Sequence, residues 1–304
     1  MIHDRSHIET EKSNPAAAQL DQMPVLEAVL LMNQEDQRAA AAVGQQAAAI
    51  AQAIELVAQA FRCGGRLVYI GAGTSGRLGI LDAAECPPTF SSDPAMVMGI
   101  IAGGPAAVTR SIENVEDDPQ AGAQALQDIE LSDRDVVLGI AAGGTTPFVH
   151  GAIAEARKQS AKTIFLACTR REHITAEADI FICLDTGPEI LTGSTRLKAG
   201  TATKLVLNTI STLAMAQIGK VYGNVMVDVD CLKNRKLIDR GTRIIMQITG
   251  ATRSQAAILL QQANGQVKRA IVMHARHCDA PTADQILLQC GGFLRRAIDP
   301  ATDK

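Results

Sequence analysis

Aromatic residues are scarce in this chain: it has no tryptophan, and phenylalanine and tyrosine together make up 3% of its 304 residues. Proteins that bind single-stranded nucleic acid without sequence preference stack the bases on aromatic side chains. A surplus of basic residues is also missing, since the formal net charge is −3 at pH 7. Nucleic-acid binding needs positive charge to neutralise phosphates. These two shortages argue against a general nucleic-acid binder.

Paired cysteines and long hydrophobic runs are missing too. The seven cysteines form no C-x-x-C motif and are odd in number, which favours reduced thiols over a disulfide framework. The apolar stretch 47–61 is interrupted by Gln52 and Glu55 and is too short to span a bilayer. The N-terminus, MIHDRSHIETEKSNP, lacks the apolar segment of a secretory signal. We therefore expect a cytoplasmic protein that does not insert into a membrane.

The central part of the chain contains short apolar runs, which alternate with helical patterns from residue 66 onward. The runs are RLVYI (66–70), AMVMGII (95–101), DVVLGI (135–140), KTIFLA (162–167) and DIFICL (179–184). Continuous apolar runs suit strands that are buried on both faces, and alternation with helices suits a parallel sheet. The sequence predicts an α/β fold with a parallel five-stranded sheet flanked by helices.

Helical patterns dominate on either side of this sheet. Residues 1–20 predict a loose polar arm, and residues 25–62 predict two helices that meet near the polar stretch 33–38. A small C-terminal bundle of four helices is predicted. One helix covers 234–248, a second begins at a capping box of Thr252 and Gln255, and two more cover 265–274 and 281–289. The predicted domains are an N-terminal arm with helices (1–57), the α/β domain (58–225) and the bundle (226–304).

The loop GAGTSGR (71–77) fits the dinucleotide pattern G-x-G-x-x-G and nearly fits a P-loop. Both nucleotide interpretations fail a second check. The second strand ends in IIAGG (100–104) without the acid that binds ribose, and Arg77 and Leu78 stand where a P-loop has Lys and Ser or Thr. Two alternatives stay open: an anion site built from Thr74, Ser75 and backbone amides, or a tight turn that only needs glycine.

Two further loops favour the anion site. GGTTP (143–147) and TGSTRLKAGT (192–201) also follow predicted strands and open helices. Ligands bind beyond the carboxyl ends of strands in open α/β sheets. We therefore predict that one phosphate-bearing ligand is held by Thr74, Ser75, Gly144, Thr145, Thr146, Ser194, Thr195 and Lys198. For Lys198, simple solvation in the first turn of a helix is the competing interpretation.

The sheet and its loops resemble the SIS (sugar isomerase) domain, which binds phosphosugars. More specifically, the chain resembles the N-acetylmuramic acid 6-phosphate etherase family over nearly its whole length and in the family's order. The matching stretches are TEKSNPAAAQLDQMPVLEAVLLMNQED (10–36), GGRLVYIGAGTSGRLGILDAAECPPTF (64–90), GIIAGG (99–104), ENVEDD (113–118), LTGSTRLKAGTATKLVLNTIST (191–212), GKVYGNVMVDV (219–229) and GGFLR (291–295).

This resemblance implies a lyase that needs no metal or redox cofactor. The enzyme would cleave the ether between D-lactate and carbon 3 of the sugar, giving N-acetylglucosamine 6-phosphate. A base would remove the acidic proton on carbon 2 of the open-chain aldehyde, lactate would leave, and water would then add. The resemblance also implies a cytoplasmic homodimer whose sites can share residues, acting in the recovery of cell-wall or imported amino sugars.

The family's two catalytic glutamates fall on Glu85 and Glu116. The resemblance implies that Glu85 protonates the departing ether oxygen and later helps to activate water, while Glu116 handles the proton on carbon 2. The residues alone allow less. Glu85 lies in an apolar helical stretch, so it could be partly withdrawn from water or simply exposed at the helix end. Glu116 lies in an acidic cluster, which is usually a solvated loop.

One departure from the family concerns GIAAGGTTPFV (139–149), where Gly143 replaces a serine and Thr145 replaces an arginine. In related SIS domains that serine hydroxyl helps to bind phosphate, so its loss removes a donor worth roughly 0.5–1.5 kcal/mol. In the segment HARHC, which also contains Cys278, the spacing of His274 and His277 could place two imidazoles on one metal ion, but no third ligand motif of strong spacing appears, so surface or packing histidines are favoured. A phosphosugar isomerase and a non-catalytic sensor, similar to the glucokinase regulatory protein, are the alternative functions.

Overall fold

The computed structural model describes residue 6, residues 8–229, residue 231 and residues 235–299. The chain forms two compact units: Met1–Ala84 with Ala95–Ser211, and Glu85–Pro94 with Thr212–Lys304. We call them the first and the second unit. The three-domain division expected from the sequence, with boundaries at residues 58 and 226, stays a prediction.

The first unit contains the sheet, as predicted. Its strands are β1 (Leu67–Gly71), β2 (Val97–Ile101), β3 (Val136–Ile140), β4 (Lys162–Ala167) and β5 (Ile180–Cys183). They are all parallel, in the order β2-β1-β3-β4-β5, and Leu67 pairs with Val97 on one side and Val136 on the other. Every residue of β1 and β3 is buried, which explains why these runs show no polar alternation.

The helices of the first unit include α1 (Val25–Gln45), α2 (Ala47–Arg62), α3 (Gly73–Phe90, which continues into the second unit), α4 (Ala106–Thr109), α5 (Pro119–Gln127), α6 (Pro147–Lys158) and α7 (Lys198–Gln217, which also continues). After β1 the chain adds β2 on one side, and it then returns to add β3 on the other side. The loops after β1 and β3 therefore diverge at a topological switch point, where open α/β sheets bind ligands.

Two expectations about the N-terminal region were wrong. The described part of the predicted loose arm is well packed, because Ile8, Glu9, Thr10 and Asn14 are all buried. The two helices meet at Gln46 rather than in the polar stretch 33–38, which lies inside α1. Most of that stretch is polar because it is exposed on the surface of α1, and only Glu35 is buried, where its carboxylate accepts a hydrogen bond from Asn14. Most of residues 1–7 lie outside the described residues.

The second unit is the predicted helical bundle, with a short hairpin that the sequence did not reveal. The hairpin pairs β6 (Val221–Tyr222) with β7 (Val225–Met226) in antiparallel fashion. The helices are α8 (Arg235–Thr249), α9 (Arg253–Gln262), α10 (Val267–Arg276), α11 (Ala280–Gln289) and α12 (Leu294–Ile298). The capping box of Thr252 and Gln255 is confirmed at the start of α9. The first residue of the predicted helix 234–248 lies outside the described residues.

A membrane-spanning helix is not found within the described ranges, where no helix combines the necessary length and apolarity.

Candidate functional site

The glycine loop between β1 and α3 needs glycine for close approach. A Cβ on Gly71 would lie 2.9 Å from the Gly76 nitrogen, and one on Gly76 would lie 2.7 Å from the Gly71 oxygen. Gly73 has φ +53°, in the left-handed region that favours glycine. These glycines let α3 begin directly at the end of β1. Thr74 and Ser75 consequently lie in the first helical turn, where backbone amides have no intrahelical acceptor.

A cavity of about 230 Å³ opens at this helix start. Five of the residues that the sequence singled out line it: Thr74, Ser75, Glu116, Thr146 and Thr195. They come from the segments that follow β1, β2 and β3 and from the segment before α7. The structure thus brings together hydroxyl groups from three loops with two carboxylates, those of Glu113 and Glu116. Hydroxyls and first-turn amides are well suited to binding a phosphate without any net positive charge.

The loop after β3 is held in place by its own backbone. The Gly144 amide donates to the Ala141 oxygen at 2.8 Å, and the Gly144 oxygen contacts His150 Nε2 at 2.8 Å. Thr146 precedes α6, but within the described part of the chain its side chain makes no capping hydrogen bond. Its hydroxyl is therefore available at the cavity. Gly144 and Thr145 are not among the described residues that line the cavity.

The start of α7 lies beside the start of α3. A Cβ on Gly200 would lie 3.6 Å from Thr74 Cγ2, so the two helix starts approach closely. The buried carboxylate of Glu189 accepts hydrogen bonds from the amides of Lys198 and Ala199, at 3.0 and 2.9 Å. Burial raises the pKa of Glu189, and these two amides oppose that rise. Thr195 reaches the cavity, whereas Ser194 is not among the described residues that line it.

Lys198 occupies a different place from the one predicted for it. Its side chain is 3% exposed, and its ammonium lies 2.5 Å from Glu35 Oε2. Neither a phosphate contact nor simple solvation fits this geometry, because the charge is neutralised by a carboxylate from α1. The sequence could not reveal the pairing, since the two residues lie 163 positions apart.

The loop that carries Glu116 is fixed at both ends. Asn114 has φ +65° and opens a short 3₁₀ turn over Val115–Asp117. Asp118 then caps α5 by accepting from the amides of Gln120 and Ala121, at 2.8 and 3.0 Å. Glu116 is half-buried at the cavity. The acidic cluster is therefore ordered by its own capping interactions, and two of its carboxylates line the cavity: Glu116, and the exposed Glu113, which accepts a hydrogen bond from Ser111 Oγ at 2.8 Å.

Two arginines at the cavity differ in how they are used. Arg77 donates to the backbone oxygens of Ala107, Val108 and Arg110, at 2.8, 2.9 and 3.0 Å, so it anchors the segment that precedes the Glu116 loop. The Arg110 side chain is exposed, lines the cavity and has no polar partner among the described residues. Sequence reasoning treated Arg77 only as a failed P-loop lysine and did not single out Arg110. The only signal was its position just before the acidic cluster.

Glu85 lies on α3 within the second unit, and its side chain is exposed. Of the two environments that the sequence allowed, the structure shows the exposed one. Pro87 and Pro88 follow within the same helix and lack backbone N–H groups. The carbonyls of Ala83 and Ala84 therefore lose their usual helical donors next to Glu85. Glu85 is not among the described residues that line the cavity of the first unit.

The histidines of HARHC do not form a metal cluster in the described residues, where no group of three His, Cys, Asp or Glu side chains is suitably placed. His274 lies near the end of α10, and His277 follows it in the left-handed region at φ +50°.

Comparison with known proteins gives three kinds of similarity. The family model of the glucokinase regulatory protein N-terminal SIS domain matches residues 49–157. The N-acetylmuramic acid 6-phosphate etherase of Rippkaea orientalis is 52% identical, covering 98% of this chain and 97% of the relative. That of Thermosynechococcus vestitus is 54% identical, covering 99% and 98%. The solved phosphoheptose isomerase of Neisseria gonorrhoeae is 17% identical, with a TM-score of 0.48, covering 64% of this chain and 100% of that one.

Proposed function

Because the chain belongs to the N-acetylmuramic acid 6-phosphate etherase family, we propose that it cleaves the D-lactyl ether of N-acetylmuramic acid 6-phosphate. It is a carbon–oxygen lyase. One observation supports the location of the reaction most strongly: the cavity of the first unit combines neutral phosphate donors with the carboxylate of Glu116. An elimination beside a sugar phosphate needs both kinds of group within reach of one substrate.

The phosphate is proposed to bind at the start of α3. The first-turn amides of α3 and the hydroxyls of Thr74 and Ser75 would hold it from one side. The hydroxyls of Thr146 and Thr195 would hold it from the loop before α6 and the segment before α7. Such donors are directional and lie at the positive end of the helix dipole. Lys198 is not needed for this contact, since its charge is already neutralised by Glu35.

The chemical steps follow from the two glutamates of the family. Glu116 takes the proton from carbon 2 of the open-chain sugar, which is acidic because it lies beside the aldehyde. Glu85 donates a proton to the ether oxygen while the bond to carbon 3 breaks, and D-lactate leaves. Water then adds its hydroxyl to carbon 3 and gives its other proton to Glu85, and Glu116 returns a proton to carbon 2. General acid–base catalysis of this kind contributes about 10²–10⁴-fold per group.

The substrate carries a second anion, the lactyl carboxylate, and Arg110 is proposed to bind it. Arg77 is unsuitable because backbone oxygens already occupy its guanidinium. Arg110 lines the cavity, is exposed and can form a bidentate contact with a carboxylate. The substrate would then span the cavity, with its phosphate at α3 and its lactyl group toward the segment before Glu116.

The biological setting is proposed from the family. The protein would work as a homodimer in the cytoplasm and would recover amino sugars from cell-wall turnover or uptake. The scattered, unpaired cysteines agree with a reducing compartment.

The deciding experiment measures D-lactate release from N-acetylmuramic acid 6-phosphate by the purified protein, with Glu85→Gln alongside. Release by the parent and its near loss in the variant are expected. A folded parent that binds the sugar phosphate without releasing lactate would contradict the proposal and would favour a sensing role. Conversion of the sugar phosphate into an isomer with its ether intact would favour the isomerase alternative.

A further inference from the structure

The second unit contains a cavity of its own, of about 480 Å³, with an excess of basic side chains. Lys220, Lys268 and Arg269 line it, whereas the one acidic side chain in its described lining is Asp228. No step of the etherase reaction uses these residues. The cavity therefore needs a separate explanation.

Two lysines share the single carboxylate. Lys268 Nζ lies 2.8 Å from Asp228 Oδ1, and Lys220 Nζ lies 3.1 Å from Asp228 Oδ2. Lys268 also donates to the Gly219 oxygen at 3.0 Å. One carboxylate cannot neutralise two ammonium groups, so one positive charge is left over among the described residues of the cavity wall. Arg269 does not change this balance, because it forms a bidentate pair with Asp284.

Burial makes this excess charge costly. Lys268 is 9% exposed, and desolvation lowers its pKa while Asp228 opposes the shift. Lys220 is partly buried as well, with 24% of its side chain exposed. Buried charges are normally paired, so an unbalanced ammonium at a cavity indicates a missing anionic partner.

The start of α10 adds to the positive potential. Lys268 and Arg269 stand in its first turn, which is the unfavourable end of the helix dipole for a cation. Gln266, which precedes the helix, makes no side-chain capping bond within the described ranges. An anion in the cavity would lower the unfavourable electrostatic energy at the start of α10 and between the two lysines.

The remaining lining resembles that of a binding site for a small organic molecule. Polar neutral groups are supplied by Ser91, Asn264 and Gln266, and an apolar wall by Val227, Val229, Val267 and Leu287. A cavity of this size exceeds what an inorganic ion needs and lies within the range of small-molecule sites.

We propose that this cavity binds a small phosphate-bearing molecule, with the phosphate between Lys220 and Lys268. The inference does not rest on the proposed etherase activity. The competing explanation is that the two lysines and Asp228 only fasten the segment after β7 to α10.

The test is a titration of the ¹⁵N-labelled full chain with inorganic phosphate, at constant ionic strength set with sodium chloride. Saturable shifts are expected at the backbone amides of residues 264–269. The amides of Thr74 and Ser75 report separately on the first unit in the same spectra. Lys220→Met should weaken the response at residues 264–269 about tenfold, as expected for a hydrogen bond to a charged group. The matched control is Arg276→Met, which removes an exposed charge from the far end of α10 and should leave the response unchanged.

A second variant guards against misfolding and separates the two explanations. Asp228→Asn removes the carboxylate that competes for both lysines, so phosphate should bind several times more tightly. If the cluster were only structural, this change would bring no gain in affinity. The proposal is overturned if residues 264–269 show no saturable response to phosphate, if Lys220→Met binds phosphate as tightly as the parent, or if Asp228→Asn brings no gain in affinity.

Discussion

The cavities of the two units offer an anion different chemistry. In the first unit, hydroxyls and first-turn amides line the cavity at the glycine loop. Lys198, which was predicted to bind the phosphate, is instead paired with Glu35. In the second unit, two ammonium groups compete for one carboxylate. Neutral directional donors recognise phosphate geometry and leave carboxylates free for catalysis. Ammonium groups attract over longer distances and are screened by salt. The comparison teaches that charge count alone does not locate a catalytic phosphate site.

The largest expected effect tests whether the first cavity performs the chemistry. Glu116→Gln removes the proposed base and should lower kcat for D-lactate release by about 10²–10⁴-fold. The control is Asp117→Asn, an exposed neighbour outside the cavity lining, which should change kcat less than threefold. Steady-state kinetics on both variants measures the difference. Equal losses in the two variants would remove Glu116 from its proposed role.

The next effect tests whether Lys198 is structural. Among the described residues, Lys198→Met leaves the buried Glu35 carboxylate with Arg38 and Asn14 as its partners, so the free energy of unfolding should fall by about 3 kcal/mol. Lys204→Met, an exposed position on the same helix, should change it by less than about 0.5 kcal/mol. Urea denaturation gives both values. Adding Glu35→Gln to Lys198→Met should recover part of the loss, and no recovery would argue against the pair.

A smaller effect tests whether Arg110 in the first cavity binds the lactyl carboxylate of the substrate. Arg110→Met should raise KM about tenfold with little change in kcat, because a charge-assisted contact to the lactyl carboxylate is lost. Arg134→Met removes a surface arginine outside the cavity lining and should leave KM unchanged. An unchanged KM in Arg110→Met would assign the lactyl group to another partner.

The smallest effect concerns the family serine that is missing at Gly143. A Cβ there would have Thr10 Oγ1 as its nearest described neighbour, at 3.9 Å, and that buried hydroxyl has no hydrogen-bond partner among the described residues. Gly143→Ser should therefore stabilise the fold by about 0.5–1.5 kcal/mol. The matched control, Gly143→Ala, should gain less, because it adds a methyl group without a donor. Equal stability of the two variants would contradict this interpretation.

Sequence patterns predicted the fold well where structure is local or periodic. The strands are recognisable as continuous apolar runs because they are buried on both faces. The start of α9 is recognisable because Thr252 and Gln255 form a capping box. The glycine loop was also readable, since close packing of α3 on β1 requires glycine at Gly71 and Gly76.

Features that depend on distant partners could not be predicted. The N-terminal segment appeared loose because its burial depends on loops far along the chain, such as Thr169, which contacts Glu9 at 3.3 Å. Lys198 looked like a phosphate ligand because its partner is on α1. The role of Arg77 as an anchor could not be predicted either. Its acceptors are the backbone oxygens of a distant segment, and every residue type has such an oxygen.

The most direct test of this account is a crystal structure of the protein with N-acetylglucosamine 6-phosphate, the proposed product. We expect the phosphate within hydrogen-bonding distance of the amides and hydroxyls of Thr74 and Ser75, with carbon 2 facing Glu116. A sugar phosphate bound elsewhere, with the first cavity empty, would contradict the central claim that neutral donors at the start of α3 hold the substrate.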